Sequence, residues 1–460
     1  MTLLILGEVK VLVSGSRPFA LTQFKSNLYW TDWTLHTVSR ISLDKPTAAK
    51  QVHVEVDNVK DILAYHLDHA IESSPCDISA CSGLCTIQIA DSSMGTVCTC
   101  PSHYVLAPDN KTCTAPHAFL LFGQRNKISR LLLEENQVPD IILPIRRARS
   151  IQSLEYNPVD KYIYWVDQGK REQHSRRVIR RARDNGMSDS LNIFDKGDQV
   201  VPYDMAIDPY TQNLYWTCEL TNSINVTRLA NGGSTPLGPL YIGGASSFPR
   251  LLALYPRKQL LFVTMSGGLT GTGRIDAIQL GTDYQEQLVN TSVTEITAIC
   301  VDTSTDTVFW ADRGLKKLEV IHIKTKKRQD IITEGILEPV GMAVQNNWLY
   351  WADRDHATIV RADKFTGAAR QTILSRVSRL SSLVSAENIP LHELQAHPCH
   401  YAETHGCSHF CYIGTDNLVE CSCPVGKVLL EDKKECGSPS CQPNEFACHN
   451  KGRNGDGPMC

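Results

Sequence analysis

The sequence predicts a mainly β protein, a six-bladed β-propeller flanked by small disulfide-rich modules. An aromatic word recurs at near-constant spacing, short alternating apolar runs surround each copy, and the cysteines fall in dense clusters. The word opens as "NLYWTDW" (Asn27–Trp33) and returns as "YIYWVDQ" (Tyr162–Gln168), "NLYWTCE" (Asn213–Glu219), "VFWADRG" (Val308–Gly314) and "LYWADRD" (Leu349–Asp355). With Phe119 of "FLLF", Tyr164, Tyr215, Phe262 of "FVTM", Phe309 and Tyr350 as marks, the steps are 45, 51, 47, 47 and 41 residues. Apolar runs precede the later copies ("SLEY", "DMAID", "LLALY", "TAICVD", "GMAV") and alternating runs follow most of them ("INVTRL", "RIDAIQL", "LEVIHI", "TIVRAD"). Period-two alternation over such lengths reads as strands rather than helix pairs. About four strands per unit of roughly 45 residues is the pattern of a propeller blade. A single such sheet cannot bury both faces, whereas a ring of six buries each against its neighbours and leaves only short edges.

A longer repeat is superimposed. "PFALTQFKSNLYWTD" (Pro18–Asp32) matches "PVGMAVQNNWLYWAD" (Pro339–Asp353), which sets Tyr29 in register with Tyr350. The offset from Cys76 to Cys399 is nearly the same, and that from Cys113 to Cys436 equals it. A blade followed by a six-cysteine module therefore occurs twice, one propeller length apart. The expected organisation is a remnant of an upstream propeller (1–70), a first module (72–115), a complete propeller (117–388), a second module (395–437) and a truncated repeat of another kind (439–460). Residues 1–70 hold about one blade and a closing strand, too little to close a ring. "MTLLILGEVKVLV" is interrupted by Glu8 and Lys10 and makes a poor export signal, and there is no apolar run of spanning length. The chain is thus expected to be a segment of a longer protein.

The net charge of -3 gives no pull toward nucleic acid. Of 17 cysteines, six lie between Cys76 and Cys113, six between Cys399 and Cys436 and three from Cys441 onward. Such clusters read as disulfide frameworks in an oxidising, extracellular-type compartment. Zinc would want paired CxxC spacing, but the close pairs are Cys98/Cys100 and Cys421/Cys423, so no metal or other cofactor is expected. Cys218 and Cys300 lie two repeats apart and are expected to be free buried thiols. The modules run C-x4-C-x3-C-x12-C-x-C-x12-C and C-x7-C-x3-C-x9-C-x-C-x12-C. The single-residue gap between fourth and fifth cysteines is the growth-factor-like (EGF) pattern, although spacing alone leaves 15 connectivities open. About 40 residues cannot supply a sufficient core, so bridges of roughly 2–4 kcal/mol each must replace one.

The motif ladder, the growth-factor-like modules and "CQPNEFAC" (Cys441–Cys448) together resemble the low-density-lipoprotein receptor family of YWTD propellers. The tail is similar to the opening of a class A repeat, without its acidic calcium-binding half. Propeller–module tandems running into class A repeats resemble the Wnt co-receptor (Arrow-type) subgroup. "AFLLFGQRNKISRLLLEENQVPDIILPI" (Ala118–Ile145) and "NLYWTCELTNSINVTRL" (Asn213–Leu229) resemble the fourth propeller of those proteins, and "RPFALTQFKSNLYWTDW" the end of the third. The resemblance implies the pairs Cys76–Cys85, Cys81–Cys98, Cys100–Cys113, Cys399–Cys411, Cys407–Cys421 and Cys423–Cys436. It also implies the extracellular side of a single-pass type I membrane protein, with Wnt proteins, Dickkopf-type inhibitors and Frizzled-type receptors as partners. Calcium-binding modules of this type carry an acidic run before their first cysteine. "ESSP" and "QAHP" stand there instead, so no calcium is expected.

Within this frame the motif aspartates are scaffold rather than catalyst. Adjacent strand residues point to opposite faces, so Tyr and Trp can pack between blades while Asp167, Asp312 and Asp353 bind neighbouring backbone. Cys218 and Met265 replace the aspartate in two units, which a redundant scaffold tolerates and a catalytic ring would not. The next residue is polar in the complete propeller (Gln168, Glu219, Ser266, Arg313, Arg354) and aromatic in the remnant, at Trp33. An aromatic at a loop tip is an interface anchor. The resemblance implies that Trp33, Phe19 and Asp57 belong to a ligand face, although Asn58 and Lys60 depart from the aromatic and methionine expected beside Asp57. The basic run Lys170–Arg183 could dock sulfated glycosaminoglycan, the bland alternative being a solvated loop. Arg146 and Arg149 form a minimal R-x-x-R site, not cleavable if it lies in a strand. Asn110, Asn225 and Asn290 head N-x-S/T sequons. Two other functions compete: an endocytic lipoprotein-type receptor releasing cargo by histidine charging at low pH, and a propeller hydrolase. The 15 histidines read as scattered, and no ring of metal-binding carboxylates is visible.

Overall fold

The computed structural model describes residues 2–5, 8–11, 13, 18–32, 35–44, 49–53, 61–64, 76, 79–90, 93–101, 103–133, 141–145, 148–168, 177–183, 191–193, 200–230, 233–244, 247–266, 273–400, 405–414 and 416–439. The chain divides into two compact units, residues 1–81 with 85–97, and residues 82–84 with 98–460. The first holds a four-stranded antiparallel sheet of Pro18–Phe24, Asn27–Asp32, Thr37–Ser42 and Lys50–His53. Trp30 and Ile41 are buried in it, whereas Phe19 and Leu21 on its first strand are 59% and 51% exposed.

The second unit holds six four-stranded antiparallel sheets among its described residues. Blade II is Ile151–Asn157, Tyr162–Asp167, Val178–Arg183 and Leu191–Asn192. Blades III to VI begin at Pro202, Phe248, Ile296 and Pro339 and repeat that order. Blade I is joined from both ends of the domain: Leu380–Glu387 pairs with Ala118–Gln124, followed by Lys127–Leu132 and Ile141–Ile142. The innermost strands touch in sequence II–III–IV–V–VI–I and back to II, so the ring is closed. Each innermost strand slips register by one residue opposite the motif, between Ile151 and Leu154 in blade II and between Ile296 and Ala298 in blade V. Such bulges turn the start of the strand toward the rim.

The motif strand is the second strand of every blade, and its pleat builds the core. Trp165 packs against blade I while Tyr164 packs against blade III. Trp310 likewise faces blade IV, and Phe309 faces blade VI. Trp165, Trp310 and Trp351 are fully buried, each worth several kcal/mol if truncated to alanine. The pairing corrects one sequence assignment. Gln124 lies opposite the bulge in blade I, where Asp167 and Asp312 lie in theirs, so Leu121 and Phe122 hold the Tyr and Trp places. Phe119, taken as the mark of this blade, sits two residues earlier and stacks edge-on against Tyr156, with centroids 5.2 Å apart. Two aromatics three residues apart made the register ambiguous in sequence.

Bridges join Cys76 to Cys85 and Cys100 to Cys113 in the first module, and Cys399 to Cys411, Cys407 to Cys421 and Cys423 to Cys436 in the second. Cys81 and Cys98 are also disulfide-bonded. Cys218 and Cys300 are free thiols, the former buried and the latter half-buried. Cys441, Cys448 and Cys460 lie outside the described residues.

Candidate functional site

The motif aspartates tie loops to strands. Asp312 accepts the amides of Thr294, Glu295 and Leu315 at 2.7, 3.2 and 3.0 Å, and Asp353 those of Leu337, Glu338 and His356 at 2.9, 3.4 and 3.0 Å. Burial alone would raise both carboxyls, but these donors outweigh it and hold each below the ordinary carboxylate value. Asp167 instead pairs with Arg180 at 2.9 Å. Every one of these contacts is internal to the scaffold.

The residues after the aspartates form the rim, and their charges are committed to each other. Arg313 pairs with Glu295 and also lies 3.4 Å from Glu338, which binds Arg354 at 2.8 Å. Arg354 also donates to the Leu380 carbonyl at 2.8 Å. On the opposite side Glu219 is held by Arg177 and, at 3.0 Å, by Arg250, and both guanidinium groups lie over the Tyr203 ring. Gln168 donates to Gln152 at 2.6 Å. Leu220, Leu315 and Leu337 are the exposed large apolar residues nearest these positions in sequence.

Inside the ring, the innermost strands of all six blades line a cavity of about 560 Å³. Glu155 and Asp204, on adjacent innermost strands, face it with Cys300. Burial, reinforced by the Asp204 charge, pushes Glu155 up to about 8, and burial pushes Asp204 up to about 6. The Leu252 amide donates to Asp204 at 2.8 Å. Burial also pushes the Cys300 thiol up, so it is a poor nucleophile. A metal would need deprotonated ligands converging at one point, and the only such convergence among the described residues is elsewhere, at His405, Cys407 and Cys411. Both of those cysteines are in disulfides and offer no thiolate.

Of the three residues assigned to a ligand face, Phe19 is described and exposed, while Trp33 and Asp57 lie outside the described residues. In the basic run, Lys170–Arg176 are likewise outside; of the remaining arginines Arg181 is buried, Arg177 and Arg180 are half-buried and Arg183 is exposed. Arg177 and Arg180 are ion-paired, Arg181 donates to the Tyr164 hydroxyl at 3.4 Å and stacks on Tyr162, and Arg183 also covers Tyr162. Arg149 is exposed in a non-strand segment, and Arg146 is outside the described residues. Asn110 and Asn290 are exposed, each beside or on a left-handed turn. Asn225 is half-buried within Ser223–Ala230, and its sequon partner Thr227 is buried, accepting the Trp216 indole N–H at 3.1 Å. The histidines are less scattered than they read: His392, His397, His400, His405 and His409 form one short run, a third of the 15 in the chain.

No family model matches the chain. Low-density lipoprotein receptor-related protein 5 of Homo sapiens is 34% identical over 453 residues, covering 96% of this chain. The Mus musculus protein of the same name is 34% identical over 452 residues, again covering 96% of the chain. Low-density lipoprotein receptor-related protein 4 of Homo sapiens is 27% identical over 412 residues, covering 88% of the chain and 20% of its own length. The chain spans 27% of the length of the first two. Among solved structures, a nidogen/laminin complex superposes with a TM-score of 0.51 at 21% identity, covering 59% of this chain and all of its own, which speaks to the fold alone. No helix among the described residues is long and apolar enough to cross a membrane. With a YWTD ladder wound into a propeller, growth-factor-like modules and 34% identity along nearly its whole length, the chain belongs to the low-density lipoprotein receptor-related proteins.

Proposed function

We propose that this chain is part of the extracellular ligand-binding region of a Wnt co-receptor, within which the described propeller serves as spacer and support. The observation that carries the supporting role is the rim of blades II to VI. Its charges are neutralised by one another, Arg313–Glu295–Glu338–Arg354 on one side and Arg177–Glu219–Arg250 on the other. A partner would have to break these pairs to use them, and exposed pairs that are already satisfied contribute little to affinity. Binding of Wnt proteins and Dickkopf-type inhibitors, and assembly with Frizzled-type receptors, is assigned to the face carrying Trp33, Phe19 and Asp57. Glycosaminoglycan docking is assigned to the basic run Lys170–Arg183, in which Arg177, Arg180 and Arg181 are engaged within the scaffold and Arg183 is exposed. Exposed Asn110 and Asn290 are the better glycan acceptors, and half-buried Asn225 the poorer. The propeller is assigned no catalytic role; Cys300, which faces the channel, is held by burial as a poorly nucleophilic thiol.

Binding of soluble Wnt and Dickkopf-type proteins to immobilised chain, and to residues 117–437 alone, tests this. Residues 117–437 are expected to bind weakly, with Kd in the micromolar range or above. Nanomolar binding by that piece would show that the rim had been misjudged. Capture of lipoprotein at neutral pH, with release near pH 5.5 and no Wnt binding, would favour an endocytic receptor.

A further inference from the structure

The second module folds against blades III and IV and, with the segment that leads into it, frames a cavity of its own. The Ile413 amide donates to the Gln259 side-chain carbonyl at 2.9 Å, and the Gln259 side-chain amide donates to the Ile413 carbonyl at 2.9 Å. Phe410 and Tyr412 enter the apolar cluster between these blades, and a Cβ at Gly281 (φ +93°) would meet the Tyr412 ring at 2.5 Å. A cavity of about 600 Å³ lies between the end of α1 (Leu391–Gln395), the strand Val419–Ser422 and the turn Asp432–Lys434. That volume is in the range of small-ligand pockets. Pro398, Val419 and Cys421 give it an apolar wall.

The polar side chains around it are mostly donors. His397 and His405 both line the cavity. His397 accepts the Cys399 amide at Nδ1 (3.2 Å), and His405 accepts the Cys407 amide at Nδ1 (2.9 Å). Burial holds both imidazoles below the ordinary histidine value, reinforced at His405 by the Arg228 charge and outweighing Asp208 at His397, so both rings are neutral at pH 7.4. A neutral imidazole has one N–H, and with Nδ1 accepting, that proton is on Nε2. Each Nε2–H lacks a partner among the described residues, although His405 is only 7% exposed. A buried donor left unmatched costs about 1–3 kcal/mol. In this tautomer neither Nε2 has a lone pair to give a metal. Lys433 and Lys434 complete the lining. A Cβ on Gly406 (φ +70°), next to His405, would lie 3.4 Å from the Lys434 ammonium. Asp432 is the one carboxylate among the described lining residues, and its Oδ1 accepts the amides of Lys434 and Glu435 at 2.9 Å each, within its own turn. Beside His405, half-buried Arg228 donates to the His409 carbonyl and has no carboxylate partner among the described residues.

We propose that this cavity is an oxyanion-binding site whose ligand is a sulfate group, held by the Nε2–H groups of His397 and His405 and the ammonium groups of Lys433 and Lys434. The donors come from three separate segments, the residues after α1, the loop before Cys407 and the turn at Lys433. Donors arriving from several directions suit a tetrahedral anion, which offers an oxygen to each, better than the two coplanar oxygens of a carboxylate. Two ammonium groups against one committed carboxylate leave the lining net positive, and Arg228 adds to that field. Binding supplies both imidazole protons with the acceptors they lack within the chain. A free sulfate ion and a sulfate ester on a sugar present the same group, and the apolar wall of Pro398 and Val419 leaves a surface beside the anion for a sugar ring. The site uses neither the basic run Lys170–Arg183 nor the face carrying Trp33, so it stands whether or not either of those binds a partner.

Histidine-selective NMR on the full chain, at pH 7.4 and constant ionic strength, tests it with sodium sulfate, a sulfated heparin disaccharide, the desulfated disaccharide and sodium acetate as probes. Sulfate is expected to shift the Nε2 and Hε1 resonances of His397 and His405 along one saturation curve, with acetate about tenfold weaker or more. Binding of the sulfated disaccharide about tenfold tighter than sulfate, with the desulfated one silent, would assign the site to a sugar sulfate ester; equal or weaker binding would assign it to the free ion. Lys433→Gln with Lys434→Gln removes exposed charges and is expected to weaken sulfate about tenfold. His405→Asn keeps an acceptor for the Cys407 amide but loses the ring N–H, and should weaken sulfate by a similar factor. Should that variant fail to fold, the lysine pair decides. No shift at either imidazole with sulfate up to about 50 mM, an equal response to acetate, or unchanged affinity in the lysine double variant would overturn the proposal.

Discussion

Lys364 is the sharpest test of how the blades are joined. Its ammonium lies 2.6 Å from Asp302, with the two side chains only 5% and 7% exposed, and it also donates to the Asn346 carbonyl at 2.7 Å. The pair links the end of the third strand of blade VI to the innermost strand of blade V. Replacing Lys364 with Met keeps the aliphatic stem but leaves Asp302 buried with no counter-charge. The hydroxyls of Ser304 and Thr305 remain bonded to that carboxylate at 2.6 and 2.7 Å, so its desolvation is only partly offset. Breaking one side of a buried pair costs about 3–5 kcal/mol. At roughly 2–4 °C per kcal/mol for a domain of this size, melting should drop by about 6–20 °C. Scanning calorimetry and urea unfolding followed by tryptophan fluorescence would measure this. The loss should also depend on pH. Burial pushes Asp302 up, but the Lys364, Ser304 and Thr305 bonds outweigh it and hold the carboxyl low in the wild type. The wild-type contribution is therefore present above the ordinary carboxylate value and disappears only as pH falls through the lowered one. Without Lys364 the carboxyl rises and is neutralised sooner, so the deficit of the variant should shrink as pH falls from 7 toward 4. A deficit below about 1 kcal/mol, or one independent of pH across that range, would refute the reasoning.

Further predictions follow from other parts of the molecule. Removing Cys407–Cys421 by a double Ser substitution opens a bridge of sequence separation 14 and should cost about 3 kcal/mol, seen as new native-state proteolysis within residues 405–421 with the propeller resistant. Gly281→Val should drive Tyr412 out of its seat and strip protection from the Ile413 amide at pH 7.4 without lowering the melting point of the propeller; retained protection would mean the seat is not formed as described. Glu155 and Asp204 are both raised, so the stability they contribute is present at low pH and lost as pH rises through about 6 and then about 8. The melting temperature of the propeller should therefore decline from pH 5 to pH 8.5, and Glu155→Gln should flatten the upper half of that decline. A profile already flat in the wild type would contradict the buried-channel assignment. Peptide mass mapping after glycosidase treatment should find near-complete occupancy at Asn110 and Asn290 and low occupancy at Asn225.

Much of the architecture is written locally. Alternation of period two places Tyr164 and Trp165 on opposite faces wherever that strand is put, so the repeated word encodes inter-blade packing before any fold is known. The spacing of the copies counts the blades, and the cysteine clusters mark the modules, because both signals rest on short-range geometry. What the linear order could not settle involves partners far apart in it. The place of Leu121 and Phe122 in blade I is decided by pairing with a strand from the far end of the domain, where Leu121 meets Val384 and Phe122 meets Leu383. The polar residues after the motifs look available in sequence, but their neutralisation needs Glu295, Glu338 and Arg354 to converge on Arg313 across two blades. The histidines read as unremarkable until the module folds back and sets His409 beside Arg228, far from it in the chain. Periodicity specifies which face a side chain takes; which charge it meets there depends on ring closure, since only the closed ring brings distant strands and the following module to a common surface.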